Sequence, residues 1–476
     1  MGHVLHRSKV RFNMEHSQPF FVNVGSATWL LYVALLLVAI FFRFSRLISV
    51  RNLDLSLLVF LSTSLVVWSS TEPLENSVTA EPSLSWQGIT VVVFSVLFIL
   101  RLMFDEALTR RPRLEQNLNQ AGLTFLCLLA FSILMIGVFV KDPPQQNFDT
   151  VEAADALLKR RESAAVVEKN DAPPAPTSTI VAAAVTKMSE LSGRVDPAEV
   201  KVDGQASDGE KFVARLLAVV AHTTVILGLL YIGRRHFCST QLGVSMSCLY
   251  LLLPCTAFNV HQLSHVVPAA CLTWAVANYR KPAVAGVLLG LACGQLFFAV
   301  FLLPLWAVFY GRKGSVRFGL SLAGVAAVVL ISFALTSENT DSFVNKLVKA
   351  ANWTVYRLFS PGASDVTEDL GHVFLRITMS AFFFVMLIGM TVIPRKRNLE
   401  NLLANTTALI IAAQLWYPED VGKYVLWYLP LLLLVMFRPR LDRFVPPESP
   451  NAHRSKQVDE RSGKPAGSMS RVTLYN

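Results

Sequence analysis

Blocks of about twenty consecutive apolar residues recur along this chain, and they constrain its fold more than any other feature. A block of roughly 17–25 apolar residues, wound as a helix, matches the hydrocarbon thickness of a bilayer. In lipid no water satisfies the backbone, so a spanning segment closes its own hydrogen bonds and becomes helical. The rest of the composition agrees. Hydrophobic residues make up 53% of the 476 positions and charged residues only 16%, against about 25% charged in a soluble domain. The fold class expected is all-α, a polytopic integral membrane protein.

The expected spans are Val24–Phe42, Leu53–Ser69, Trp86–Phe104, Ala121–Val140, Phe212–Gly233, Leu242–Ala257, Leu263–Tyr279, Val316–Leu335, Val373–Ile393, Leu399–Trp416 and Val421–Phe437. That is about eleven spans. The stretch Pro282–Tyr310 is longer than one helix needs. Gly286, Gly290 and Gly294 on its first arm permit close packing, and Pro304 lies on its second. It reads as a hairpin of two short helices. The first block follows about twenty mixed residues without a small-residue cleavage site, so it reads as a retained helix.

Charge orients the spans. Arg43, Arg46 and Arg51 separate the first two, and Arg110, Arg111 and Arg113 follow the third. Further basic groups are Arg234–Arg235, Arg280–Lys281, Arg395–Lys396–Arg397 and Arg438, Arg440 and Arg443. One threading puts all of them in the cytoplasm, as the positive-inside rule requires. The hairpin then returns Arg312 and Lys313 to the same side. The N-terminus falls outside, although Arg7, Lys9 and Arg11 pull the other way. The localisation expected is a multi-pass protein of a cell or inner membrane. The net charge of +10 is spent on these short clusters, so nucleic acid is not an expected partner and membrane lipid is.

Four regions result. Residues 1–140 form an N-terminal four-helix membrane region and residues 212–437 a C-terminal membrane region. Between them, residues 141–211 form a polar insert with nine basic and thirteen acidic residues, which suits the outer face. Its APPAPTST run has linker composition. One amphipathic helix is expected over Val151–Glu168, and flexible chain elsewhere. The tail, residues 438–476, is polar and expected to be cytoplasmic and disordered.

No Walker, G-x-S-x-G, H-E-x-x-H or dinucleotide-binding motif occurs. The six cysteines lie in or beside apolar blocks at no metal-ligand spacing, so they read as packing residues, and no metal site or cofactor is expected. Few charges fall inside the spans, which argues against an ion-coupled transporter.

Two segments carry more information. From Leu249 to Leu305 an apolar helix ends at Pro254, a short loop follows around Asn259–Ser264, and another helix ends at Arg280–Lys281. The glycine-rich stretch Ala285–Ala292 then leads to Leu302–Leu305, which reads LLPL. Near the C-terminus Lys423–Phe437 reads KYVLWYLPLLLLVMF. Together these resemble the polytopic membrane glycosyltransferases of the GT-C type, especially the family-87-like enzymes that use polyprenol-phosphate sugars. The resemblance covers roughly a quarter of the chain, in apolar sequence. It implies an inverting sugar transfer from a polyprenyl-phosphate donor at the outer leaflet, with a carboxylate as general base and no nucleotide in the site. The sequence departs from the family at two points. Gln295 stands near the place of a common lysine, and no aspartate motif marks the first large outer loop.

The carboxylates available in the corresponding loop are Glu72, Glu75 and Glu81, the candidate catalytic residues. Candidate substrate-binding residues lie at two other outer mouths. His261 and His265 stand four apart and would share a face on a helix. Glu419, Asp420, Lys423 and Tyr424 cluster before the last helix, where Tyr424 could stack on a sugar and Lys423 pair a phosphate, or where the aromatic residues form an interfacial belt. The loop Ser337–His372, with Asp365, Glu368 and Asp369, is a candidate lid. A glycosyltransferase, a non-catalytic membrane scaffold, and a lipid or solute transporter all remain open on these residues.

Overall fold

A computed structural model describes residues 26–45, 47–71, 86–105, 116–160, 174–191, 207–350, 370–393, 397–416, 424–438 and 446. Every regular element among them is helical. In chain order they are α1 (Ser26–Phe41), α2 (Val50–Thr71), α3 (Trp86–Met103), α4 (Gln120–Val140), α5 (Gln145–Lys159), α6 (Pro176–Leu191), α7 (Asp208–Arg235) and α8 (Thr240–Leu252). They continue with α9 (Pro254–Phe258), α10 (Leu263–Ala277), α11 (Pro282–Cys293), a 3-10 turn (Phe297–Leu302), α12 (Leu303–Leu335), α13 (Thr340–Ala350), α14 (Leu370–Val392), α15 (Leu399–Ala413) and α16 (Val425–Phe437). Among the described residues four segments are long and apolar enough to cross a membrane: Val50–Val67, Gln120–Val140, Asp208–Arg235 and Phe298–Leu335, the last of them broken at Gly311. The other apolar helices are shorter, at 10–17 residues.

Local chemistry sets several boundaries. Ser207 and Glu210 form a reciprocal capping box that starts α7. Asn119 and Asn398 cap α4 and α15, each accepting a backbone N–H three residues on. Leu253 is extended and Pro254 restarts the chain as α9, so the expected span Leu242–Ala257 is two helices.

The interior is built on α15 and α16. All residues of both helices are buried. They pack on each other, α15 packs on α3, and α16 packs on α8 and α10. Apolar shells of this kind explain why α16 is hydrophobic all round.

Basic residues that are distant in sequence meet at one end of the bundle. The expected hairpin is visible there. The chain runs along α11, breaks at Gly294, returns through the 3-10 turn, and turns again at Gly311, whose φ of 69° favours glycine. A Cβ on Gly314 would lie 3.7 Å from Pro282 Cγ, so the chain has come back to the start of α11. Arg312 and Lys313 therefore lie at the end that holds Arg280 and Lys281. Arg397 reaches the same place, 3.2 Å from a Cβ on Gly311. His236, beside Arg235, lies within 2.8 Å of the carbonyl of Ala277, which adds another basic group.

The same end contains a buried ionic network. Arg101 grips Asp54 through Nε at 2.7 Å and Nη2 at 2.9 Å, and its Nη1 meets Asp105 at 2.7 Å. Arg438 pairs with Asp105 and with Glu400 Oε1, the latter at 2.9 Å. These contacts join α2, α3, α15 and the residue that closes α16.

The insert contains more helix than its composition suggested. α5 begins before the expected Val151 and ends at Lys159, and a second helix, α6, begins inside the linker-like run at Pro176. Proline suits that position because the first helical N–H has no partner to lose. Small buried residues, among them Ala154, Ala156, Ala182 and Ala183, let the two helices pack closely.

Candidate functional site

Glu72, Glu75 and Glu81 lie outside the described residues, as do Glu419, Asp420 and Lys423. Three candidates are described: His261, His265 and Tyr424. All three lie at the end of the bundle opposite the basic clusters.

The two histidines do not share a helix face. Asn259 closes α9 by donating from Nδ2 to the Cys255 carbonyl at 3.1 Å, and the chain turns through Gln262 before α10 begins. His261 is therefore in the loop, whereas His265 sits in the first turn of α10. The spacing of four reads as helical only if the helix has already started.

His265 and Tyr424 are brought together, their rings edge-to-face with centroids 5.2 Å apart. The indole Nε1–H of Trp427 donates to His265 Nδ1 at 3.1 Å. Indole is only a donor, so Nδ1 is the unprotonated nitrogen and a neutral ring carries its proton on Nε2. Phe298, from the 3-10 turn, completes the box at 5.3 Å from Tyr424 and 4.8 Å from Trp427. The two sequence segments that carry the GT-C resemblance thus meet here through α10, the 3-10 turn and α16.

The loop holding His261 is fixed from below and from above. Below, His222 on α7 lies 2.9 Å from the Tyr250 hydroxyl through Nδ1 and 3.0 Å from the Val260 carbonyl through Nε2. The carbonyl can only accept, so Nε2 holds the proton and Tyr250 donates to Nδ1. Above, Asn147 of α5 donates from Nδ2 to the His261 carbonyl at 2.9 Å. A lone histidine in an apolar block gave no sign of this role, and neither Tyr250 nor Trp427 was separable from ordinary core residues.

Around His261 several polar atoms are buried without a hydrogen-bond partner. They are both ring nitrogens of His261, Ser264 Oγ and Arg215 Nε. Native interiors hold few such atoms, and each costs about 1–3 kcal/mol. Arg215 also lies 3.2 Å from Asp142, just past the end of α4. Burial lowers the His261 imidazole to a pKa of about 4, the charges of Lys141 and Arg215 push in the same direction, and Asp142 opposes them. At neutral pH this ring is uncharged, with one donor and one acceptor. Lys141 and Arg215 bring two positive charges toward it, and the Asp142 carboxylate offsets part of them.

α6 stitches the insert over the break between α11 and the 3-10 turn. Thr177 donates from Oγ1 to the Leu291 carbonyl at 2.6 Å, and Ser178 donates to Gln295 Oε1 at 2.7 Å. Gln295 is therefore engaged with the insert.

The fold and this site define an all-helical protein whose apolar helices include four of membrane-crossing length. No protein family, curated protein or solved structure matches the chain.

Proposed function

We propose that this chain is a multi-pass membrane glycosyltransferase of the GT-C type, moving a sugar from a polyprenyl-phosphate donor at the outer leaflet. The observation that carries the reading is the meeting of His265 with Tyr424 and Trp427, because it joins the two segments on which the resemblance rests. In this reading the spans number about eleven, the end rich in arginine and lysine faces the cytoplasm, and the imidazole–aromatic box lies toward the outer leaflet. Lys141, Arg215 and His261 offer donors for the donor phosphate. Tyr424 offers a ring to a sugar, with Glu419, Asp420 and Lys423 beside it in sequence. Glu72, Glu75 or Glu81 supplies the base that takes the acceptor's hydroxyl proton.

A second reading, a non-catalytic membrane scaffold, is favoured by one observation. No lysine stands near the place where the family commonly has one, and the nearby Gln295 is held by Ser178. One experiment separates the two. Membranes containing the protein are supplied with radiolabelled polyprenyl-phosphate sugar, and transfer is compared with a variant carrying Glu72→Gln, Glu75→Gln and Glu81→Gln. Transfer by the natural chain and its loss in the variant support the enzyme. Undiminished transfer in the variant removes these carboxylates from the mechanism, and absence of transfer in both favours the scaffold.

A further inference from the structure

The short helix α13 is amphipathic but faces the protein with its polar side. Its sequence, TDSFVNKLVKA, places Val344, Leu347 and Val348 on one stripe at helical spacings of three and four. In a helix packed on a water-soluble body that stripe would be buried. Here Val344, Leu347 and Val348 are 49%, 38% and 51% exposed, while Lys346 on the other side is only 5% exposed. The ammonium of Lys346 donates to the carbonyl of Thr336, just past the end of α12. That tie fixes the rotation of α13 and keeps its apolar stripe outward.

The stripe continues a larger apolar surface. The last turns of α12 expose Val328, Leu330, Ile331 and Leu335. They lie on the arm of α12 that follows the turn at Gly311, within an apolar stretch that is mostly unburied inside the protein. An outward apolar face is costly in water and favourable in lipid. A second copy of the chain is the other way to cover it.

We propose that α13 is an in-plane interfacial helix, with Val344, Leu347 and Val348 seated in the bilayer leaflet at the C-terminal end of α12. The occupant of the stripe is phospholipid, at the boundary between headgroups and acyl chains. The proposal rests on the arm of α12 after Gly311 spanning the bilayer and is independent of any sugar chemistry. It gives the chain after α12 a membrane-seated segment, close to the insert residues Ala153, Leu157 and Pro176.

The test uses the full chain in nanodiscs of phosphatidylcholine and phosphatidylglycerol. The photocrosslinker p-benzoylphenylalanine replaces, one at a time, Val344, Leu347, Val348, Asn345 on the flank of the helix, or Leu330 on α12. Products are read by mass spectrometry. Phospholipid adducts at 344, 347 and 348 comparable to those at 330, and several-fold stronger than at 345, are expected. Adducts at 330 without adducts at 347 overturn the proposal while leaving the span intact. A protein dimer as the main product at 347 overturns it in favour of a second copy. Absence of lipid adducts at 330 overturns the membrane placement of α12 and this proposal with it.

Discussion

Arg101 on α3 holds Asp54 on α2 through two hydrogen bonds, at 2.7 and 2.9 Å, with both side chains nearly inaccessible to solvent. A planar guanidinium on a carboxylate in this two-point geometry is the strongest form of such a pair. Through Asp105 the contact passes to Arg438 and Glu400, so four elements share one network. Removing one partner leaves an uncompensated buried charge, which costs about 3–5 kcal/mol. Arg101→Met is expected to lose that much stability in thermal unfolding of the detergent-solubilised protein. Adding Asp54→Leu to the same chain should recover part of the loss, because the pair then leaves together. Additive losses in the two variants would show that the residues are not coupled.

Close packing of α11 against α12 depends on Gly286. A Cβ there would lie 2.1 Å from Ser321 Oγ and 2.5 Å from the Phe318 carbonyl oxygen, and the carbonyl cannot move without moving the helix. Gly286→Ala should therefore destabilise by about 1–3 kcal/mol, the usual cost of overpacking. Gly319 and Gly324 on α12 have nothing within 4 Å of such a Cβ. Alanine at either should be neutral or stabilise by up to about 1 kcal/mol through better helix propensity. Midpoint temperatures of the three single variants test the contrast.

Trp427 and His265 make the strongest polar contact of the candidate box. Trp427→Phe keeps a ring in place but withdraws the donor from His265 Nδ1. The buried acceptor loses its hydrogen bond, so a stability loss of about 1–3 kcal/mol is expected. If the box serves sugar transfer, Trp427→Phe and Tyr424→Phe should both lower transfer in the membrane assay. Tyr424→Phe keeps the ring contacts with His265 and Phe298, so its effect on midpoint temperature should be smaller than that of Trp427→Phe.

The helical class and the glycine-rich reversal at residues 282–310 were legible because they follow from local signals: run length, glycine and proline position, and clusters of arginine and lysine. The ionic network was not. Asp54, Arg101, Glu400 and Arg438 are far apart in sequence, and only packing of α2 on α3 and α15 on α16 pairs them. The insert misled in the other direction. Its alanine, serine and threonine content resembles linker, yet those small side chains are what let α5, α6 and the body approach closely, with Thr177 and Ser178 bonded to residues of the α11 break. At the candidate site, His261 and His265 stood out as residue types. Their partners did not, because Trp427, Tyr250 and Phe298 look like any core aromatic until the fold brings them together.

His261 provides a pH signature for the loop above the box. Its imidazole is lowered from the ordinary 6.5 to about 4, first by burial and then by the charges of Lys141 and Arg215. Between those values the unfolded chain binds a proton that the folded chain refuses. Stability contributed by this residue is therefore complete above pH 6.5 and is lost as pH falls toward 4. The slope can reach about 1.4 kcal/mol per pH unit within that window. Asp142 faces the same loop and acts in the opposite sense on the ring, so the measurement has to be a difference. Unfolding free energies of the natural chain and of His261→Gln, followed from pH 7.5 to 4.5, should diverge in slope below pH 6.5, with the variant flatter. Glutamine retains a donor and an acceptor at the loop but does not titrate. Parallel curves throughout the range would mean that His261 is solvated and protonates at its ordinary pH in the folded protein.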